Sequence, residues 1–252
     1  MTELILSGCN GKMGRVITAC AAEDSGINIV AGVDADAVMP AHYPVFASFD
    51  ELRYQCDVLL DFSHPAALPD LLCYAKATQT PAVIATTGYD EAAIAAIRAA
   101  AETVPIFFTF NMSLGINLLA ELAKKAAQVL TGFDIEIVEA HHSAKIDAPS
   151  GTALMLADAV RGGLDEPTAL ITDRSGRRES RPKNEIGIHA IRGGTIVGDH
   201  QVIFAGRDEI ITLSHSARSK ELFAVGALRA AHFLAGKPAG LYTMADLIGE
   251  NA

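Results

Sequence analysis

The sequence predicts an α/β protein with a parallel-sheet domain and a second, mixed α+β domain. Over the first 111 residues, short and nearly continuous apolar runs alternate with Ala-rich helical runs. Strands of that kind are buried on both faces, as in a parallel sheet covered by helices. From residue 168 onward, strand-like runs follow one another without helices between them, which favours a mixed or antiparallel sheet. The chain has 252 residues, half of them hydrophobic, which is enough for one large domain or two modest ones.

The elements of the parallel-sheet domain are predicted from the apolar runs and from the turn residues that separate them. The predicted strands cover residues 3–8, 27–34, 57–63, 81–88 and 105–111. The predicted helices cover residues 12–22, 65–78 and 90–102.

After residue 111 the pattern changes. Apolar residues at helical spacing predict a helix over 115–130, and partial alternation predicts a strand over 134–142, with a short helix after residue 150. Further strands are predicted within 169–173, 186–194, 195–206 and 208–215, and a final amphipathic helix over 219–236. The charged stretch 173–185, rich in turn residues, is predicted to be a mobile, solvated loop.

The composition argues against several classes of function. A formal net charge of −10 and a pI of about 5.2 make the chain a poor candidate for binding nucleic acid or an anionic membrane. No apolar run reaches the roughly 18 residues of a membrane helix, and no basic segment precedes the first apolar residues as in a secretory signal. The four cysteines form no Cys-x-x-Cys pair, and no metal-ligand spacing is present. We therefore expect a cytoplasmic protein with reduced thiols, no metal, and no nucleic-acid or membrane partner.

A glycine-rich turn joins the first strand to the first helix. Gly8, Gly11 and Gly14 lie in it at three-residue spacing, with Asn10 at the usual second glycine position. Glycines there permit a tight turn and let a pyrophosphate approach the helix N-terminus. Asp34 ends the second strand 20 residues after Gly14, where an acid can bond both ribose hydroxyls of an adenosine. The context predicts a dinucleotide site, although Asp34 also fits a turn-forming role.

Two other predicted strands end in polar residues. Thr86, Thr87 and Gly88 follow one of them, and Asn111 ends another. Ligands of open α/β sheets bind beyond the carboxyl ends of the strands, so these residues could line the same crevice. Taken alone they are equally consistent with ordinary turns.

Residues 139–160, EAHHSAKIDAPSGTALMLADAV, gather histidines, a lysine and a glycine turn ahead of a helix. A hydroxyl of Ser150 or Thr152 is expected to cap this helix, whose first N–H groups can bind an anion. Lys145 adds a positive charge, and His141 and His142 can exchange protons near neutral pH. The stretch favours a site for a small carboxylate. Its alternative is a set of exposed polar side chains beside a routinely capped helix.

The stretch EAHHSAKIDAPSGTA closely resembles the signature of the dihydrodipicolinate reductase family, and the resemblance runs nearly end to end. It also includes GCNGKMG (8–14), ATTGYD (85–90), FNMSLGIN (110–117) and IRGGTIVGDH (191–200). It implies a Rossmann-type dinucleotide-binding domain over residues 1–113 and 219–252. It further implies a mixed α+β domain over 114–218 that binds substrate and forms a homotetramer.

The resemblance also assigns site residues. His141 matches the family's proton donor and acceptor, and Lys145 its second proton donor. Substrate contacts are implied for His142, Lys145, Gly151 and Thr152. Cofactor contacts are implied for Gly8, Cys9, Asn10, Gly11, Lys12, Met13, Asp34, Ala85, Thr86, Thr87, Thr109, Phe110, Asn111 and Met112.

The implied reaction is the NAD(P)H-dependent reduction of 4-hydroxy-tetrahydrodipicolinate to tetrahydrodipicolinate, in the diaminopimelate route of lysine biosynthesis. The chain departs from the family pattern near the cofactor. Ala35 and His64 stand where arginine is common in members that favour NADPH, and Phe110 and Met112 are also unusual. With Asp34 repelling a 2′-phosphate, we expect NADH to be preferred and NADPH to be usable.

Two alternatives remain open from the sequence. One is another nicotinamide-dependent oxidoreductase on the same framework, such as a semialdehyde dehydrogenase. That class needs a catalytic cysteine in the second domain, whereas no cysteine lies beyond Cys73. The other is a non-enzymatic dinucleotide sensor, which would have no use for His141, Lys145 and Gly151 together.

Overall fold

The computed structural model describes residues 1–36 and 42–249. The chain divides into two compact units, residues 1–113 with 220–252 and residues 114–219. The first carries a parallel sheet and the second a mixed sheet, so the predicted fold class is confirmed. No helix of the described part of the chain is long and apolar enough to cross a membrane.

The helices and strands are numbered in chain order. The first unit begins with β1 (Thr2–Ser7), α1 (Lys12–Glu23), β2 (Ile27–Val33), β3 (Val45–Phe46), β4 (Val58–Asp61), α2 (Leu68–Thr78), β5 (Ala82–Ile84), α3 (Glu91–Ala101) and β6 (Pro105–Phe108). The second unit contains α4 (Leu114–Val129), β7 (Asp134–His141), α5 (Gly151–Arg161), β8 (Ala169–Ile171), β9 (Glu185–Arg192), β10 (Gly198–Ala205) and β11 (Ile210–Ala217). The first unit resumes with α6 (Glu221–Leu234), β12 (Gly240–Tyr242) and α7 (Met244–Gly249).

The sheet of the first unit has the order β12-β6-β5-β4-β1-β2-β3, and its neighbouring strands pair in parallel. Its central strands are fully buried, with Leu4, Ile5 and Leu6 of β1 at 0% exposure, as expected for a sheet covered on both faces. The strand order reverses at β1, which pairs with both β2 and β4. A reversal of this kind opens a crevice at the carboxyl ends of the strands, where α/β proteins bind ligands.

Several elements of the first unit differ from prediction. β4, β5 and β6 end two to four residues earlier than predicted, because the polar residues beyond them form loops. The edge strands β3 and β12 and the short helix α7 were not predicted. Two or three residues are too few to show the alternation of a strand, and the six residues of α7 are too few to show a helical repeat.

The second unit is built around β7, the middle strand of the order β11-β10-β7-β9-β8. β7 runs antiparallel to β10 and parallel to β9, so the sheet is mixed as predicted. Alternate residues of β7 point to one face, and Ile135, Ile137, Glu139 and His141 are its buried set. The apolar members of that set share a core with residues of α4 and α5. Glu139 and His141 are therefore polar groups on the buried face of a central strand.

The stretch 173–185 is a correction to the sequence analysis. It is the crossover between the parallel strands β8 and β9, made without a helix, and Arg178 within it is exposed as predicted. Three other arginines turn inward, however. Arg174 and Arg181 bind Glu136 at 2.7 and 3.0 Å, and Arg174 and Arg177 both bind the buried Glu185. The prediction of a solvated loop is wrong for these side chains, because they neutralise carboxylates of the sheet.

Arg181 is the most heavily bonded of these arginines. Its guanidinium donates to the backbone carbonyls of Ile135 and Glu185 at 3.0 and 2.6 Å, in addition to its carboxylate partners. Burial alone would raise the pKa of the Glu185 carboxyl, but Arg174 and Arg177 outweigh it and lower that pKa. The loop is thus held to β7 and β9 by charge-assisted hydrogen bonds.

We expect Arg181→Met to destabilise the protein by about 2 kcal/mol, because the carbonyls of Ile135 and Glu185 and the carboxylate of Asp134 lose the hydrogen bonds of a charged donor. The melting temperature should fall by roughly 4–8 °C. The matched control is Arg178→Met, since Arg178 makes only long contacts of 3.3 and 3.5 Å to carbonyls within the loop. Equal thermal melts for the two variants would contradict a structural role for Arg181.

Candidate active site

The glycine turn has a geometry that only glycine permits. Gly8 has φ +79°, and a Cβ there would lie 2.4 Å from the carbonyl oxygen of Phe62. A Cβ at Gly14 would lie 2.2 Å from the carbonyl oxygen of Gly8. α1 therefore packs directly on the turn, and its N-terminus, with Gly11 as the N-cap, faces out from it. This is a narrow backbone cradle of the kind that holds a phosphate.

Asp34 lies against this turn. One oxygen of its carboxylate accepts from the Asn10 N–H at 2.9 Å, and the other accepts from the Asp36 N–H at 3.1 Å. The Asn10 amide group donates to the carbonyl of Asp36. The structure thus brings the predicted ribose acid to the edge of the predicted pyrophosphate turn.

Arg15 was missed by the sequence analysis. Its Nε donates to the carbonyl oxygen of Asn10 at 3.1 Å, which places an exposed guanidinium beside the turn. Arg15 could have been predicted from the sequence, because residues three apart lie on the same side of a helix and Lys12 already belongs to the predicted cofactor site. Lys12 itself is exposed, and Met13 is half-buried.

Cys9 can contribute only its backbone to this site. Its side chain is fully buried, and a Cβ at Gly32 would lie 2.5 Å from its sulfur. Burial, with the charge of Asp34 adding to it, raises the pKa of the thiol to about 11. The thiol therefore stays protonated and serves packing.

The two other predicted stretches follow the neighbouring strands β5 and β6. The Ala85 N–H donates to the carbonyl of Asp61 at 3.0 Å, Thr86 is buried, and Thr87 is exposed. The side chain of Asp61 is buried and accepts from the Ser63 hydroxyl at 2.6 Å. Burial raises the pKa of the Asp61 carboxyl, and the Ser63 bond opposes that shift. This bond between a buried carboxylate and a half-buried hydroxyl was not predicted.

The stretch after β6 forms a compact polar turn. The Thr109 hydroxyl donates to the carbonyl of Asn111 at 3.2 Å, and the Asn111 side chain accepts from the Ser113 N–H at 2.9 Å. Phe110 is 71% exposed, with its ring against Phe108, whereas Met112 is buried. Because β5 and β6 are parallel neighbours, both stretches lie at the same edge of the sheet as the glycine turn.

The histidine-lysine stretch lies entirely in the second unit and is organised by a buried carboxylate. Glu139 has no exposed surface. Its Oε2 contacts His141 Nδ1 at 2.7 Å, and its two oxygens accept from Arg192 Nη1 and Nη2 at 2.7 Å each. Its Oε1 also accepts from the Ser150 N–H at 3.0 Å. Burial alone would raise its pKa, but the donors Arg192, His141 and Ser150 lower it to about 2.

A second buried histidine packs edge-on against His141. The ring of His200, on β10, lies 5.1 Å from the His141 ring, and its Nε2 lies 3.3 Å from the Ser150 hydroxyl. Burial, with a further contribution from His141, lowers the pKa of His200 to about 4. His200 is therefore uncharged at neutral pH and adds no positive charge beside His141.

The start of α5 completes the arrangement. Ser150 is the N-cap, and its hydroxyl accepts from the Ala153 N–H at 3.1 Å. Gly151 is exposed, and a Cβ there would meet nothing within 4 Å. In the turn before the helix, Lys145 Nζ contacts Asp147 Oδ1 at 2.8 Å. A helix N-terminus and an ammonium group are each suited to a carboxylate ligand.

The predicted residues thus form one group in each unit. His141, His142, Lys145, Gly151 and Thr152 lie together in the second unit, on β7, the following turn and the start of α5. Among residues 1–36 and 42–249, no cluster of His, Cys, Asp and Glu side chains has the arrangement of a metal site.

Glu139, Arg192 and His200 were not predicted. Glu139 could have been found, because side chains alternate between the two faces of a strand and Glu139 falls on the same buried face as Ile135 and Ile137. Arg192 could not, since it meets Glu139 only through the pairing of β7 with β9, where it stands opposite His141.

Comparisons with known proteins agree over the whole chain. Residues 2–112 match the family model described as dihydrodipicolinate reductase, N-terminus, and residues 115–248 match dihydrodipicolinate reductase, C-terminus. A relative from Caldanaerobacter subterraneus subsp. tengcongensis, named 4-hydroxy-tetrahydrodipicolinate reductase, is 52% identical over 98% of both chains. A relative of the same name from Clostridium tetani is 49% identical over 97% of this chain and 96% of its own.

A solved structure agrees with these relatives. Dipicolinate-bound dihydrodipicolinate reductase from Paenisporosarcina sp. TG-14 matches with a TM-score of 0.82 at 25% identity, over 96% of this chain and 97% of that chain. The resemblance predicted from the histidine-lysine signature is therefore confirmed. On the two family models and the relatives together, the chain belongs to the dihydrodipicolinate reductase family.

Proposed function

We propose that the chain catalyses the NAD(P)H-dependent reduction of 4-hydroxy-tetrahydrodipicolinate to tetrahydrodipicolinate, in the diaminopimelate route of lysine biosynthesis. The observation that carries the proposal is the group formed by His141, Lys145 and the α5 N-terminus at Gly151. It combines a buried histidine bonded to a carboxylate, an ammonium and an anion-binding helix start. Relatives of this name at about half identity over the full chain support the same reaction.

The first unit fits a nicotinamide dinucleotide. Its glycine turn depends on the absence of side chains at Gly8 and Gly14, where a Cβ would clash with backbone carbonyl oxygens, and Asp34 lies beside it. Backbone N–H groups at the start of α1 would hold the pyrophosphate, and Asp34 the adenosine ribose. When bound, the reduced nicotinamide supplies the hydride.

The second unit holds the substrate and moves the proton. The α5 N-terminus at Gly151 and Thr152, with His142 and Lys145, binds a carboxylate and orients the ring. Once water has left the substrate, reduction at C4 of the conjugated imine would require a proton at the ring carbon beside the imine carbon. His141 and Lys145 supply the proton that this carbon needs.

We further propose that the protein is a cytoplasmic homotetramer assembled through the second unit. Ile191 of β9 and Ile210 of β11 are 52% and 68% exposed, which leaves apolar surface on the mixed sheet. The four cysteines are all free thiols, consistent with a reducing compartment. The two alternatives from the sequence find no specific support, because the second unit lacks a cysteine and a sensor needs no proton carrier.

The proposed reaction is tested by condensing pyruvate with aspartate semialdehyde through the preceding synthase and following the oxidation of NADH. In that assay Lys145→Ala should lower kcat by about 10²-fold or more, the scale of positioned acid catalysis. The control is Lys183→Ala, which removes an exposed lysine of the same unit. A folded Lys145→Ala variant with near-normal turnover would remove Lys145 from the mechanism.

The anion site is tested at Gly151. Because a Cβ there meets nothing within 4 Å, Gly151→Val should fold, yet its side chain would crowd a carboxylate at the helix start. We expect KM for the substrate to rise about tenfold or more, the loss of one charge-assisted contact, with Kd for NADH unchanged by calorimetry. Gly176→Val, also in open space, is the control. Equal loss of both ligands would indicate general damage rather than a substrate site.

The preference of NADH over NADPH is a further proposal. Both oxygens of Asp34 are engaged by N–H groups, and the adjacent Ala35 is exposed and uncharged. The His64 Nδ1 accepts from the Ala66 N–H at 3.2 Å, which occupies that nitrogen. Lys12 and Arg15 are the cations beside the turn, and they soften the repulsion of a 2′-phosphate. Ala37 and Val38, also uncharged, lie outside the described residues.

Ala35→Arg should shift kcat/KM toward NADPH by about tenfold, since one charge-assisted contact to phosphate contributes roughly 1–3 kcal/mol. Ala35→Gln is the matched control of similar length without charge. The measurement is kcat/KM for both cofactors at low salt in the wild type and both variants. A wild type that favours NADPH would contradict the proposed preference for NADH. An Ala35→Arg variant without a gain toward NADPH would contradict the proposed position of the ribose site.

A further inference from the structure

A single buried carboxylate joins the two functional parts of the second unit. Glu139 contacts the ring of His141 through Oε2 and the start of α5 through Oε1. Arg192 closes the arrangement, because it binds both oxygens and also donates to the carbonyl of Asp147 at 2.8 Å. The proton carrier, the helix start and the turn that carries Lys145 therefore share one anchor.

The contact with His141 selects one form of its ring. An ionised carboxylate only accepts hydrogen bonds, so the neutral imidazole must carry its proton on Nδ1, 2.7 Å from Oε2. Nε2 is then the nitrogen that gains and loses a proton. Gly198 leaves room at that atom, since a Cβ there would lie 3.1 Å from His141 Nε2. Nδ1 is therefore held by the Glu139 carboxylate, whereas the space at Nε2 is left free of a side chain from position 198.

We propose that Glu139 is a positioning residue that fixes the orientation and tautomer of His141, so that Nε2 exchanges the proton of the reaction. The inference rests on the proposed function, in which His141 is the proton carrier. Arg192 stabilises the ionised form of Glu139, because a buried carboxylate without a paired charge would be strongly unfavourable. Glu139 itself acts through His141.

Other charged and titratable groups surround this ring. Glu139 contacts it from β7, with Arg192 of β9 behind that carboxylate. His200 faces it from β10, and His215 of β11 lies beyond His200 and lowers its pKa further. Lys145 and Asp147 lie in the turn after β7, where Asp147 also interacts with Arg192. Of these groups, the negative charge in direct contact with His141 belongs to Glu139.

The test is Glu139→Gln in the full-length enzyme. If the glutamine keeps its oxygen on the Ser150 N–H, its NH2 group faces Nδ1 and donates to it, so the neutral ring carries its proton on Nε2. We expect kcat to fall by about 10²-fold or more, because the proton-exchanging atom is in the wrong state. The substitution also removes the negative charge in contact with the ring, which stabilises a positive charge on it. The alkaline fall in kcat should therefore move to lower pH.

A second readout is independent of turnover. Nitrogen NMR of protein labelled with ¹⁵N-histidine reports which ring nitrogen of His141 carries the proton, identified by comparison with His141→Ala. The wild type should show the Nδ1–H form and Glu139→Gln the Nε2–H form. The control is Glu136→Gln, which removes a carboxylate from the other face of the same strand that also contacts a histidine, His189, at 2.7 Å. It should leave the His141 signal and the pH profile unchanged.

The inference is overturned if Glu139→Gln keeps kcat within about threefold of wild type with an unchanged pH profile and tautomer. That result would leave the proposed function intact so long as His141→Ala is inactive. An active His141→Ala would instead reject the proton-carrier role, while NMR still reports whether Glu139 holds the ring.

If Glu139→Gln does not fold, Glu139→Gln with Arg192→Met removes both the buried carboxylate and its paired cation and decides the question. This double variant should fold and remain slow, with a changed tautomer. Recovery of wild-type turnover and pH profile in it would overturn the inference.

Discussion

The ion pair between Glu139 and Arg192 is the interaction on which the second unit depends. An ionised carboxylate without exposed surface costs several kcal/mol unless donors surround it. Here the donors come from three places in the chain, namely β7 itself, β9 and the start of α5. The pair therefore fixes the register of β7 against β9, since a slip of one residue would turn Arg192 to the other face. It also fixes where α5 begins.

The first unit shapes its glycine turn by backbone geometry rather than by a buried ion pair. Its cradle is shaped by backbone geometry, with Gly8 in a left-handed conformation and Gly14 pressed against the carbonyl oxygens of Gly8 and Cys9. The reversal of strand order at β1 supplies the crevice, and Asp34 is oriented by backbone N–H groups. An open cradle of this sort suits a cofactor that enters and leaves at every turnover. A paired, buried charge suits a group that must keep one orientation.

The sequence predicts the first unit well because its signals are local. The apolar run of β1, the glycine spacing and the start of α1 at Lys12 all lie within a few residues of one another. The second unit is predicted less completely because its interactions are not local. Glu139 is visible as a charge at a buried position, but its partner Arg192 lies 53 residues away and is selected by the order of strands in the sheet. The arginines of the loop were misread for the same reason, since the composition of a loop does not reveal the carboxylates folded against it.

The approach of Glu136 to Gly187 has a consequence for how related sequences can vary. A Cβ at Gly187 would lie 1.8 Å from Glu136 Oε2, so the carboxylate occupies the space that a side chain on β9 would need. That position lets Glu136 reach Arg174, Arg181 and His189 at once. A chain that acquires a side chain at position 187 must move the carboxylate, and the loop arginines then lose their anchor. Positions 136, 174, 181 and 187 should therefore change together during evolution.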